Sequence, residues 1–332
     1  MNMDDTTDPS YWLNWRFFTC AAYVLIVIVG ASVIIWKYEG PGDSSPKSRR
    51  KKGEDERRVG YLHRDEAWET SVAWIHPAWL LVYRLCAFIV LLAILISELR
   101  ELGVGSFYFY TQWTFALVTV YFGVGTAISI HGCRLFRARL VPGKINRQSD
   151  VNRSAYEAVR QDADEDENRS STKKGADTHS ASSDQPTTGF LSYSFQVIFQ
   201  VAAGAAMLSD SVFWFLIYPF LLPSSFHLNL VVFSMHFFNV AFLIGDAFLN
   251  RLRFPFFRLA YLALWTIIYV LFQWGAHACY SMWWPYPFLD LSSPYAPAWY
   301  LAIGLIQLPC FGLFALIVKL KHFLLSKFPQ YV

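Results

Sequence analysis

The alternation of apolar and polar positions divides the chain into seven long apolar runs: 17–36, 77–97, 107–130, 195–222, 226–249, 256–278 and 297–318. Each is close to the roughly 20 residues that a helix needs to cross a hydrocarbon core of about 30 Å. None has the strict alternation of a barrel strand, and only helices or closed barrels satisfy every backbone N–H and C=O in lipid. The pattern therefore predicts an all-α polytopic membrane bundle of about seven transmembrane helices. Two long connections interrupt it. "PGDSSPKSRRKKGEDERR" within 37–76 and "DADEDENRSSTKKGADTHSASSDQPTTG" within 131–194 mix both signs of charge with Ser, Gly and Pro. They offer almost nothing to bury, which predicts largely disordered loops.

Composition agrees. The 332 residues are 55% hydrophobic, 18% aromatic and only 16% charged, a balance that excludes an ordinary soluble domain. The five cysteines, at 20, 86, 133, 279 and 310, lie singly on different spans or their ends, with no disulfide framework or CxxC metal spacing. Residues 1–16 carry Asp4, Asp5 and Asp8 against Arg16 alone, unlike a cleavable signal peptide, so 17–36 is expected to act as a retained signal anchor.

Charge then orients the helices. Of 28 Lys and Arg, nine fall in 37–76, ten in 131–194, three in 250–258 and three in 319–332. Basic residues collect on the cytoplasmic side. The expected topology has residues 1–16 and the aromatic loop 279–296 exoplasmic, and the tail 319–332 cytoplasmic. Arg84, near the cytoplasmic end of the second span, is expected to snorkel to the interface. "KSRRKK" is a topology signal or a contact for anionic lipid. The sequons at Asn152 and Asn168 are expected to stay unmodified on that side.

Ionisable and hydroxyl groups inside the spans are the candidates for chemistry. Thr111 lies about one turn below the outer surface, and His236 roughly 12 to 15 Å down at 1.5 Å per residue. Asn239 follows His236 on the same face. His277 ends the sixth span at the outer interface, with Gln273 one turn below. A threonine hydroxyl needs a base to take its proton, and histidine suits that task. Asp210 reaches a depth at which it can orient His236, whereas Asp246 lies ten residues deeper, as part of a packing network. Structural readings stand beside these. Membrane threonines commonly bond their own backbone or join helices, and His277 sits in an aromatic belt with Trp274, Trp283, Trp284, Tyr280 and Tyr286.

Three stretches, "FYT" at 109–111, "MHFFN" at 235–239 and "QWGAHACYSMWWPYPFLDL" at 273–291, resemble in order and spacing a family of membrane proteins. These are the androgen-induced and androgen-dependent integral membrane hydrolases and the related rolling stone proteins. The likeness covers roughly residues 105 to 318. "DPSYWLNWRFF" and "WKYEG" are similar to a side branch of plant transmembrane proteins. The resemblance implies Thr111 as nucleophile and His236 as general base, acting on fatty acid esters of hydroxy fatty acids; position along the spans adds Asn239, His277 and Asp210 as substrate-binding or supporting residues. Membrane lipid and a bilayer-borne acyl ester are the expected partners, with no nucleic acid, cofactor or metal. Plasma membrane and endomembrane are both compatible.

Other classes remain open on the sequence. The rolling stone branch implies a non-enzymatic scaffold, adhesion or fusion protein, since a fold does not fix a function. Seven crossings allow a receptor, although no Asp/Glu-Arg-Tyr or Asn-Pro-x-x-Tyr motif is present. His236 and His277 together allow a haem.

Overall fold

A computed structural model of the chain describes residues 5–39, 67–72, 75–140, 190–223 and 225–327. The central parts of both long connections, the "KSRRKK" run and the sequons at Asn152 and Asn168 lie outside the described residues. Among the described residues the molecule is a helical bundle without strands, and seven helical segments are long and apolar enough to cross a membrane. Multi-pass membrane insertion follows, as the apolar runs predict.

The spans are α1 (Trp15–Glu39), α2 (Pro77–Leu102), α3 (Tyr110–Leu140), α4 (Phe190–Val212), the interrupted pair α5 (Leu230–Met235) and α6 (Phe238–Leu249), α7 (Leu259–Cys279) and α8 (Ala296–Lys327). α2 starts sharply because the His76 ring accepts from the Ala78 N–H at 3.1 Å and Pro77 follows as the first helical residue. It stops at Gly103, whose φ of 66° suits the one residue type without a Cβ. A 3₁₀ segment, Gly103–Tyr108, then delivers the chain to α3.

Three expectations are corrected. α3 runs to Leu140 and α8 to Lys327, through residues read as loop and tail. Both ends stay helical because apolar positions continue. In α8 Lys321 is buried, donating to the Ala247 and Asn250 carbonyls at 2.9 and 2.6 Å. The run 226–249, read as one span, is broken at His236 and Phe237. Arg84 does not snorkel.

α4 is the central helix. Of its apolar window 61% is buried, against 17% for the peripheral α1, and it packs against α3, α6, α7 and α8. Its "VAAGAAM" stretch permits close approach: a Cβ on Gly204 would stand 2.7 Å from Leu262 and 2.9 Å from Phe311.

Arg84 and Asp246 are both fully buried and joined through Nε and Oδ1 at 2.8 Å. Arg84 also donates to the Ala67 carbonyl at 3.0 Å and Ser129 Oγ at 2.9 Å. Asp246 accepts from Tyr121 Oη and from Asn250 Nδ2 at 2.7 Å. Snorkelling fails because Asp246, distant in sequence, offers a bidentate partner inside the bundle. Such a pair adds little net stability, but removing one partner strands the other charge. Arg84→Met or Asp246→Leu alone is therefore expected to cost about 3–5 kcal/mol, read as loss of thermal stability in detergent. The double replacement should recover part of that loss.

Candidate functional site

The site forms at the end of the bundle that holds the N-terminus. There Tyr11 Oη donates to Asp290 at 2.9 Å and Arg16 donates to the Ser292 carbonyl at 2.6 Å, tying residues 5–16 to the loop 280–295. Burial, with Asp290 adjacent, pushes the Tyr11 phenol up, so it remains a donor.

The broken span positions His236. Its carbonyl would ordinarily accept from the Val240 N–H, but Asn239 Oδ1 takes that donor at 2.6 Å. The freed carbonyl accepts from the Trp214 indole at 3.2 Å. His236 itself has φ −94° and ψ 9°, outside helical geometry. α4 supplies the other half of the cradle. Pro219 has no N–H and its ring clashes with an ordinary α turn, and Phe213–Leu221 widens into a π-helix, a feature frequent at functional sites. The start of this wide segment lays Phe213 flat on the His236 ring, centroids 3.7 Å apart and planes 6° apart.

His236 Nδ1 stands 3.1 Å from Asp210 Oδ1, and Asn239 Nδ2 donates to the same oxygen at 3.2 Å. A carboxylate is acceptor-only, so a neutral ring carries its proton on Nδ1 and leaves the Nε2 lone pair free. Thr111, in the first turn of α3, accepts from Ser209 Oγ at 3.5 Å and lies 3.4 Å from Tyr286 Oη. Tyr286 is held extended between Pro285 and Pro287. Burial raises its phenol pKa, which keeps it protonated.

Thr111 and His236 line one cavity of about 340 Å³, together with Glu98, Gln112, Phe213 and Tyr286. No hydrogen bond joins the two among the described residues. A smaller cavity of about 50 Å³ shares Thr111, Ile217 and Tyr286 with the first. It shares Thr266, Val270, Phe288, Leu289 and Ile303 with a third cavity, of about 330 Å³, between α1, α7 and α8. The three cavities thus adjoin through common wall residues, the first differing from the third in carrying Glu98, Thr111 and His236, and each large one is within the size range of small-molecule sites.

The other expected residues sit elsewhere. Asn239 does not line the cavity; it braces Asp210 and holds the helix break. His277 is fully buried, 2.9 Å from Tyr108 Oη through Nε2 and 2.8 Å from the Gln273 carbonyl through Nδ1. It stacks on Trp284 at 3.6 Å. Both of its nitrogens are engaged, which leaves no lone pair for an iron shared with His236. Sequence reasoning missed Glu98, Ser209 and the role of Tyr286; the two prolines around Tyr286 were the available signal.

Asn239→Leu is expected to free the Val240 N–H, unbrace Asp210 and destabilise the protein by about 1–3 kcal/mol. Thermal unfolding of the purified variant measures it. Asn239→Asp, which keeps the acceptor for Val240, should recover less than Asn239→Ser because it sets a second carboxylate beside Asp210.

No family model matches the chain, and no curated protein or solved structure matches it either.

Proposed function

We propose that the protein is an integral membrane lipid ester hydrolase with Thr111 as nucleophile and His236 as general base. The observation that carries the proposal is the common cavity: Thr111 and His236 come from different spans and line the same space. Asp210 on Nδ1 supports the base role, because it orients the ring and stabilises the imidazolium that forms. The apolar chambers beyond Thr111 suit an acyl chain. The similarity to the androgen-induced and androgen-dependent hydrolases points the same way, and the distribution of basic residues supports an exoplasmic N-terminus with the site in the outer half of the bilayer.

The chemistry runs in two halves. Thr111 Oγ1 attacks the ester carbonyl carbon while His236 Nε2, directly or through one water, takes the hydroxyl proton. The tetrahedral intermediate collapses, the C–O bond to the alcohol breaks, and His236 returns the proton to the leaving oxygen. Water, deprotonated by the same ring, then attacks the acyl-threonine and releases the carboxylic acid. Tyr286 Oη, protonated and next to Thr111, is a donor available to the developing oxyanion.

A second reading has one observation in its favour. Thr111 already touches Ser209 and Tyr286, contacts that join α3 to α4 and to the loop without any reaction, as in a non-enzymatic scaffold, adhesion or fusion protein.

One experiment separates the two. In membranes, a fluorophosphonate probe should label the wild type and leave Thr111→Ala unlabelled, with both proteins equally abundant and monodisperse on extraction. His236→Ala should lower ester hydrolysis by about 10²–10⁴-fold. Full hydrolysis by Thr111→Ala would end the hydrolase proposal. A Thr111→Val protein that loses thermal stability yet keeps every activity favours the scaffold.

A further inference from the structure

We infer that the chamber at Thr111 recognises an ammonium group, so that the ester it takes carries a positively charged head. The inference rests on the reading of this cavity as a lipid ester site and names the class of ester.

Glu98 carries the inference. It is only 8% exposed and lines the chamber, and among the described residues its carboxylate has no hydrogen bond or ion pair. Its ionisable neighbours are Glu101 and His236, and neither is joined to it by a hydrogen bond or ion pair among the described residues. The neighbouring Arg100 is exposed on the outside of α2, and no Lys or Arg lines the chamber. The other walls combine aliphatic side chains, among them Leu102, Ile217 and Met235, with aromatic ones. Phe109, Phe213, Phe226 and Tyr286 all contribute to the lining. A chamber whose wall carries both a carboxylate and several aromatic rings has the two elements that hold quaternary ammonium ions, charge attraction and the negative ring faces. His236 is also held by Asp210, so a second carboxylate lies just behind the wall. An ester bearing a free carboxylate, such as a fatty acid ester of a hydroxy fatty acid, meets like charge here with no Lys or Arg on the wall to offset it. The chamber geometry thus sorts substrates by the sign of the head, while the apolar chambers take the chain.

The test is a binding measurement that does not depend on turnover. Protein with Thr111→Ala, which cannot form the acyl intermediate, is placed in phosphatidylglycerol nanodiscs, whose lipid carries no ammonium. Radiolabelled lauroylcholine is bound and displaced by unlabelled lauroylcholine or by its uncharged carbon isostere, 3,3-dimethylbutyl laurate. Tetramethylammonium serves as the chain-free competitor. The expected result is a roughly tenfold or greater preference for lauroylcholine over the isostere. Glu98→Gln should abolish it and Glu98→Asp should retain part of it. Partitioning into the lipid is common to all variants and cancels. Should Glu98→Gln not fold, Phe226→Leu at the chamber wall is expected to reduce the preference severalfold.

Equal affinity for the two esters, or a preference unchanged by Glu98→Gln, overturns the inference. Tetramethylammonium competing as well as lauroylcholine overturns the lipid assignment and makes the site one for a soluble amine. Failure of the hydrolase proposal is distinguishable: ammonium preference would persist while Thr111-dependent hydrolysis is absent.

Discussion

The buried pair Arg84–Asp246 fixes the depth of everything above it. Arg84 on α2, Tyr121 and Ser129 on α3, and Asp246 on α6 meet at one point inside the bundle. Two charges removed from water tolerate no sliding, because any shift breaks several short hydrogen bonds at once. The registers of α3 and α6 are therefore locked to each other through Tyr121 and Asp246. Thr111 lies ten residues from Tyr121, and His236 ten residues from Asp246. At 1.5 Å per residue both rise roughly 15 Å toward the N-terminal end. The two groups share a cavity because they are measured from the same anchor.

Depth alone would leave His236 facing wherever an uninterrupted helix pointed it. The break after Met235 changes that, and its cause is local. Asn239 diverts one backbone donor, Trp214 satisfies the carbonyl left over, and Phe213 sets the plane of the ring. The wide π segment starting at Phe213 puts those two aromatic residues where they are needed. Asn239 and Asp210 thus act through His236 without touching the chamber. His277, similar to His236 by residue type alone, is fixed by Tyr108, Gln273 and Trp284 and holds the cap of the bundle together.

Much of this was legible in the chain. Seven apolar runs gave the spans, since hydropathy over 20 residues is a strong constraint in lipid. Counting residues from the ends of the runs brought Thr111, Asp210 and His236 to similar depths. What the chain concealed were pairings at long range and local rewiring. Arg84 looked like an interfacial residue because its partner is 162 positions away. The break at His236 contains no Gly or Pro, only an asparagine whose side chain competes with the backbone. Glu98 fell one residue beyond the predicted end of its span, so it stood outside the polar residues weighed within the spans, although it is a buried wall of the chamber.

The most direct measurement is the proximity of the two key positions in the membrane. With the five native cysteines replaced by alanine, Thr111→Cys and His236→Cys should be joined by a short bifunctional thiol reagent, and the bridge read by mass spectrometry of the linked peptides. Thr111→Cys paired with His277→Cys should stay unlinked under the same conditions. A bridge to position 277 and none to position 236 would contradict the shared chamber, and with it the chemistry derived from it.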